Sequence, residues 1–119
     1  MKIALIGYGK MGHAIEEIAL SKGHVIVLKV SIENTEDNTI ANIRQADVAI
    51  EFTGPESAYD NIQRCLDAGV PVVSGSTGWL DRFEDIRQLC QQKQGSFLYT
   101  SNFSIGVNIF LKSTNAWPP

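Results

Sequence analysis

Lys2-Ile3-Ala4-Leu5-Ile6-Gly7-Tyr8-Gly9-Lys10-Met11-Gly12 is the stretch on which the fold is decided. Lys2 to Ile6 is a short apolar run rich in branched residues, the pattern of a parallel strand buried on both faces. Three glycines follow at GxGxxG spacing, and a helical pattern opens directly behind them. Apolar residues recur there three and four positions apart, at Met11, Ala14, Ile15, Ile18 and Ala19, which is the stripe of an amphipathic helix. Strand, glycine turn and helix in that order give the motif its meaning. Gly7 permits the tight turn, Gly9 lets a pyrophosphate approach the backbone, and Gly12 lets helix and strand pack closely. The helix N-terminus adds unpaired N–H groups and a partial positive charge. Lys10 reads equally well as a phosphate contact or as a solvated lysine.

Working outward, the pattern repeats. His24 to Val30 predicts a second strand, Thr39 to Arg44 a short helix and Asp47 to Phe52 a third strand. A helix is expected over Pro55 to Ala68, with Ala58, Ile62, Cys65 and Leu66 inward. Val70 to Ser74 and Ser96 to Thr100 read as strands four and five, and Leu80 to Lys93 as the helix between them, stopped at Gly95. A further helix is expected from Ile105. Alternation with short connections predicts right-handed βαβ units: a Rossmann-type α/β domain, a doubly wound parallel sheet with helices on both faces, in a single domain.

Ligands of such sheets bind outside the carboxyl ends of the strands, so the turns after Gly7, Phe52, Gly75 and Ser101 are where function is sought. Thr53 and Glu56 have capping-box spacing with Pro55 in the first turn, and a role for Thr53 beside a ligand stands as an addition to that. Gly75-Ser76-Thr77-Gly78 sets two hydroxyls between glycines, to hold a ligand amide or to cap the next helix. Trp79 reads as a packing residue. At the end of the second strand, where NAD-binding domains place an acid about 20 residues after the glycines, this chain has Ser31, with Glu33 farther on. Serine does not repel a 2′-phosphate, and Lys29 is placed to attract one. Both NADH and NADPH therefore stay open as the cofactor.

Composition narrows the classes. The 119 residues are 44% hydrophobic with a net charge of −3, enough for one core and without the basic clustering of a nucleic-acid binder. No run approaches the roughly 18 apolar residues of a membrane helix, and the N-terminal apolar run is too short for a signal peptide. A cytoplasmic protein is expected, with Cys65 and Cys90 as reduced, inert thiols. Neither His13 nor His24 has a cysteine or carboxylate at ligand spacing, so no metal site is expected, and no general acid stands out.

Four stretches together resemble one family: Gly7-Tyr8-Gly9-Lys10-Met11-Gly12, Glu51-Phe52-Thr53-Gly54-Pro55-Glu56, Gly75-Ser76-Thr77-Gly78-Trp79 and Ser101-Asn102-Phe103-Ser104-Ile105-Gly106-Val107-Asn108. The chain is similar to the N-terminal domain of the 4-hydroxy-tetrahydrodipicolinate reductases (dihydrodipicolinate reductases) of the lysine (diaminopimelate) pathway, over residues 1–112. The resemblance implies an oxidoreductase passing hydride from NADH or NADPH to a cyclic unsaturated dicarboxylate. It implies cofactor contacts from Gly7, Tyr8, Gly9, Lys10, Met11, Gly12, Ser31, Phe52, Thr53, Gly75, Ser76, Thr77, Thr100, Ser101, Asn102 and Phe103. Ser76 stands where the family has threonine, which keeps the hydroxyl. The family's substrate and catalytic domain has no counterpart here, so no catalytic residue is assigned in this chain and turnover by the chain alone is not expected. Residues 113–119 depart from the family helix and read as an atypical tail, since Pro118 and Pro119 cannot extend it. Binding of the dicarboxylate would need the absent domain, and an exposed partner-facing surface makes a homo-oligomer a further expectation. Rival readings are another Rossmann dehydrogenase of amino-acid or homoserine type, a non-catalytic dinucleotide sensor, and a bare structural domain.

Overall fold

The computed structural model describes residues 1–99. Five parallel strands form one sheet: β1 (Lys2–Ile6), β2 (Val25–Val30), β3 (Val48–Glu51), β4 (Val72–Ser74) and β5 (Phe97–Tyr99), in the order β2-β1-β3-β4-β5. This is a doubly wound parallel order, with its switch point between β1 and β3. The connecting helices are α1 (Lys10–Ser21), α2 (Ile40–Ile43), α3 (Ala58–Asp67) and α4 (Phe83–Gln92). The strand order reverses between β1 and β3, whose register pairs Ile6 with Glu51. The glycine turn and the turn after β3 therefore leave the sheet side by side.

Period-two alternation sends successive strand residues to opposite faces. From β1, Ala4 and Ile6 join one cluster with Ile62, Cys65, Trp79 and Ile86. Ile3 and Leu5 join the other, with Ile15 and Ala19 of α1. One face is thus covered by α1 and the other by α2, α3 and α4. The central strands β1 and β3 are buried almost throughout, whereas β2, at the sheet edge, is mostly half-exposed.

Several local expectations are corrected. The buried stripe of α1 is Gly12, Ile15 and Ala19, and Ala14 faces solvent. Gly12 sets this rotation: a Cβ there would lie 2.9 Å from the Gly7 carbonyl oxygen and 3.0 Å from Phe52 Cζ. The helix after β3 starts at Ala58, not at Pro55. The segment expected as one helix from Leu80 opens as a 3-10 turn, Leu80–Arg82, before α4 begins at Phe83. At the end of α4 the left-handed residue is Gln94, at φ 53°, and not Gly95. Gly95 is required for space instead, since a Cβ there would meet Leu66 Cδ2 at 2.9 Å.

Among the described residues no helix is long and apolar enough to cross a membrane. Cys65 is buried and Cys90 half-buried, and neither forms a disulfide. Burial, and then the charge of Glu51, pushes the Cys65 thiol up to about 12. The thiolate is the reactive form, so a thiol reagent at pH 8 should leave Cys65 unmodified in the folded chain. Modification of both cysteines at the rate of the unfolded chain would contradict this. The helix expected from Ile105 and the tail at 113–119 lie outside the described residues.

Candidate functional site

The glycine turn is built by three different constraints. Gly7 sits at φ 105°, and a Cβ on it would lie 2.7 Å from the Phe52 carbonyl oxygen, so the turn must run flat against the start of the next. Gly12 is held under the turn by the contacts already given. Gly9 is the opposite case: a Cβ there meets nothing within 4 Å. The space above it is open, a cradle that a side chain would fill and a phosphate can enter. Gly9 is also the cap residue of α1, and no side chain caps that end. The first-turn N–H groups of a helix have no carbonyl of their own helix to bond, so this end is suited to an anion.

The turn borders an open crevice of about 1080 Å³, at the upper end of ligand pockets, which run to about 1,000 Å³. An extended dinucleotide fits that scale. The structure brings Gly7, Tyr8, Gly9, Lys10 and Met11 to its wall. Ser31 lines it at the end of β2, and Phe52 and Thr53 at the end of β3. Gly12, buried in α1, is not on the wall. Gly75, Ser76 and Thr77 are not on it either: Ser76 is buried directly behind Thr53, and Thr77 is exposed. Thr100, Ser101, Asn102 and Phe103 lie outside the described residues.

On the β2 side, Ser31 is fixed by Asn34. The Ser31 backbone N–H and hydroxyl both donate to Asn34 Oδ1, at 2.7 and 2.9 Å. Glu33 also lines the crevice, closer to the site than its spacing suggested. Lys29 is not poised for a phosphate. Its ammonium is paired with Glu16 at 3.0 Å and lies 5.0 Å from the centre of the Tyr8 ring. Tyr8 donates its hydroxyl to the other Glu16 oxygen. Hydrogen bonds from Tyr8, then Lys29, lower the Glu16 pKa, and that with Glu16 raises the Lys29 pKa.

The turn after β3 overturns the capping-box expectation. Thr53 caps nothing. Its hydroxyl donates to Glu51 Oε2 at 2.6 Å and accepts from Asn61 Nδ2 at 3.1 Å. The position before α3 is Ser57, without a side-chain cap. A buried carboxylate is a stronger partner for a hydroxyl than a helix N–H, so Glu51 captures Thr53. Glu51 is the residue that sequence reading missed as a site component. It is fully buried at the end of β3. Ser74, its register partner on β4, donates to Oε1 at 2.7 Å, and Ser76 donates to Oε2 at 2.7 Å. The signal in the sequence was an acid ending an apolar strand with hydroxyls ending the next.

The turn after β4 packs against the turn after β3. Gly78, at φ 81°, leaves no room for a Cβ, which would sit 2.7 Å from Pro55 Cβ. Trp79 is buried among Phe83, Phe97 and Tyr99, and its indole N–H donates to the Ser76 carbonyl at 2.8 Å. It is a packing residue, as its sequence context suggested.

Comparison with known proteins agrees with this geometry. The family model described as "Dihydrodipicolinate reductase, N-terminus" matches residues 1–103. A 4-hydroxy-tetrahydrodipicolinate reductase of Christiangramia forsetii is 46% identical over 112 residues, covering 94% of this chain and 46% of that protein. One from Neisseria gonorrhoeae is 33% identical over 94 residues, 79% of this chain and 34% of that protein. The chain therefore spans about half or less of the length of these curated relatives. Among solved structures, a hyperthermophilic archaeal homoserine dehydrogenase in complex with NADPH superposes with a TM-score of 0.65 at 12% identity, over 82% of this chain and 43% of that one. A Clostridium difficile dehydrogenase gives 0.66 at 16% identity, over 83% and 38%. At these identities the two structures speak for the Rossmann-type fold, and the family model carries the assignment: the chain belongs to the dihydrodipicolinate reductase N-terminal domain family.

Proposed function

We propose that this chain is the NAD(P)H-binding part of a 4-hydroxy-tetrahydrodipicolinate reductase, an oxidoreductase of lysine biosynthesis acting in the cytoplasm. In this reading it holds the nicotinamide cofactor that donates hydride to a cyclic unsaturated dicarboxylate. The observation that carries the reading is the open cradle over Gly9, at the uncapped start of α1 and beside the point where the strand order reverses. The pyrophosphate lies on the backbone of residues 7 to 11, with Lys10 at the rim. The adenosine ribose lies against Ser31. The hydroxyls of Thr53 and Ser76 are both engaged inside the protein, so the turn after β3 offers its main chain and Phe52 to the cofactor, and Gly75, Ser76 and Thr77 join the site by family likeness. Thr100 to Phe103 are assigned to the cofactor by family likeness alone.

With Lys29 held by Glu16 and Glu33 on the ribose wall, no cation among the described residues is dedicated to a 2′-phosphate, so NADH should bind at least as tightly as NADPH. Calorimetric titration of the purified chain with each nucleotide checks this, and a clear preference for NADPH would refute it. The site itself is tested by Gly9→Ala. Its Cβ occupies the cradle without touching protein. The dissociation constant should rise about tenfold or more, equal to the loss of roughly one charge-assisted hydrogen bond. Folding stability should stay within about 1 kcal/mol of wild type. Unchanged affinity would place the phosphates elsewhere.

A further inference from the structure

Among the described residues Glu51 is the charged side chain that is fully buried, and donors surround it. The Thr53 backbone N–H donates to Oε2 at 3.0 Å. The three hydroxyls around it already accept from other donors: Thr53 from Asn61 Nδ2, Ser76 from the Thr53 N–H at 2.8 Å, and Ser74 from the Ser76 N–H at 3.3 Å. Each hydroxyl has one proton, which is left to donate to Glu51. A set made of donors alone is the one that suits a carboxylate, which has no proton to give. None of the ion pairs among the described residues reaches Glu51. The cation that enters the network is Arg64, which donates to Asn61 Oδ1 at 3.2 Å, two hydrogen bonds away from Glu51. A net negative charge is thus locked beneath the ends of β3 and β4.

That position has a chemical meaning. The dinucleotide crosses the sheet where the strand order reverses, with the adenosine ribose on the β2 side. Its nicotinamide half then falls on the side of β3 and β4, above Glu51. The oxidised nicotinamide ring carries a positive charge and the reduced ring carries none. We infer that Glu51 is a positioning and charge-setting residue of the cofactor site: it ties together the turns after β3 and β4, and its buried charge favours the oxidised over the reduced nicotinamide. Release of hydride from the reduced ring leaves the ring cationic, so the same charge favours hydride donation. The inference rests on the dinucleotide reading proposed above.

The test is calorimetric titration of the 119-residue chain with NAD⁺ and with NADH, in wild type and in Glu51→Gln, with folding checked by circular dichroism. The ratio of the NAD⁺ to the NADH dissociation constant should rise about tenfold in Glu51→Gln, the order of effect of removing one unit charge at a protein-like dielectric. A parallel loss of both affinities at constant ratio would leave Glu51 a purely structural residue and overturn the inference. If Glu51→Gln does not fold, Arg64→Gln decides. Removing the partly compensating cation should lower the ratio about twofold, and an unmoved ratio overturns the inference. Failure of the wild-type chain to bind either nucleotide would instead overturn the dinucleotide reading, whereas binding with an unmoved ratio sinks this inference alone.

Discussion

Replacing Gly7 with alanine should cost about 2–6 kcal/mol of folding stability. Two penalties combine. At φ 105° an L-residue pays roughly 1–3 kcal/mol in backbone strain. The new Cβ also falls 2.7 Å from the Phe52 carbonyl oxygen, an atom of a neighbouring strand end that cannot swing aside, and overpacking of that kind costs about 1–3 kcal/mol. Small domains hold only about 5–15 kcal/mol in total, so Gly7→Ala should be marginal or unfolded at 37 °C. Urea unfolding followed by circular dichroism measures the loss directly. A midpoint within error of wild type would mean that the turn does not run against Phe52 as described. The contrast with Gly9→Ala is the informative part, because the same substitution two residues on should spare the fold and remove the ligand. One motif thus contains a glycine required by the protein and another required by what it binds.

Trp79→Ala should be as damaging, at about 3–5 kcal/mol. The indole is 2% exposed and fills the space between Phe83, Phe97 and Tyr99, which join α4 to β5. Its removal also leaves the Ser76 carbonyl without its 2.8 Å donor. The thermal midpoint should fall by about 10 °C or more, given roughly 4–8 °C per kcal/mol in a domain of this size. Trp79→Phe keeps most of the packing and loses the N–H, and should cost about 1–2 kcal/mol. If Trp79→Ala melts with wild type, the aromatic cluster does not hold β5 to the sheet.

The core was legible in the sequence wherever a single element carried its own pattern. The branched run Lys2–Ile6, the period of α3 and the glycine spacing each specify local geometry without reference to distant residues. What escaped depends on pairs that meet only after folding. Thr53 and Glu56 have the spacing of a cap, and nothing between them reveals that Glu51 takes the Thr53 hydroxyl. That competition requires the register of β3 against β4, which puts Ser74 opposite Glu51. Ala14 sits on the helical stripe yet faces solvent, because the close approach of Gly12 to the Gly7 carbonyl and Phe52 turns α1 about its axis. Gln94, at φ 53° in place of Gly95, was hidden for a similar reason: the glycine is needed next to Leu66, on another helix. Ser31 ends β2 and lines the crevice, but the state of Lys29 depends on Glu16, thirteen residues before it in the chain.

The engagement of the Thr53 and Ser76 hydroxyls by Glu51 divides the crevice into two walls that respond differently to mutation. On the β3 side, Phe52 and Thr53 line the crevice with the Thr53 hydroxyl turned inward to Glu51, so that wall is tied to a buried network. Substitution of Glu51 or of its hydroxyl partners Thr53, Ser74 and Ser76 should therefore disturb both turns at once. On the β2 side the wall is made of side chains that no buried network holds, Ser31, Ile32, Glu33 and Thr35. An engineer seeking to change which nucleotide this domain accepts should therefore leave the first wall alone and rewrite the second.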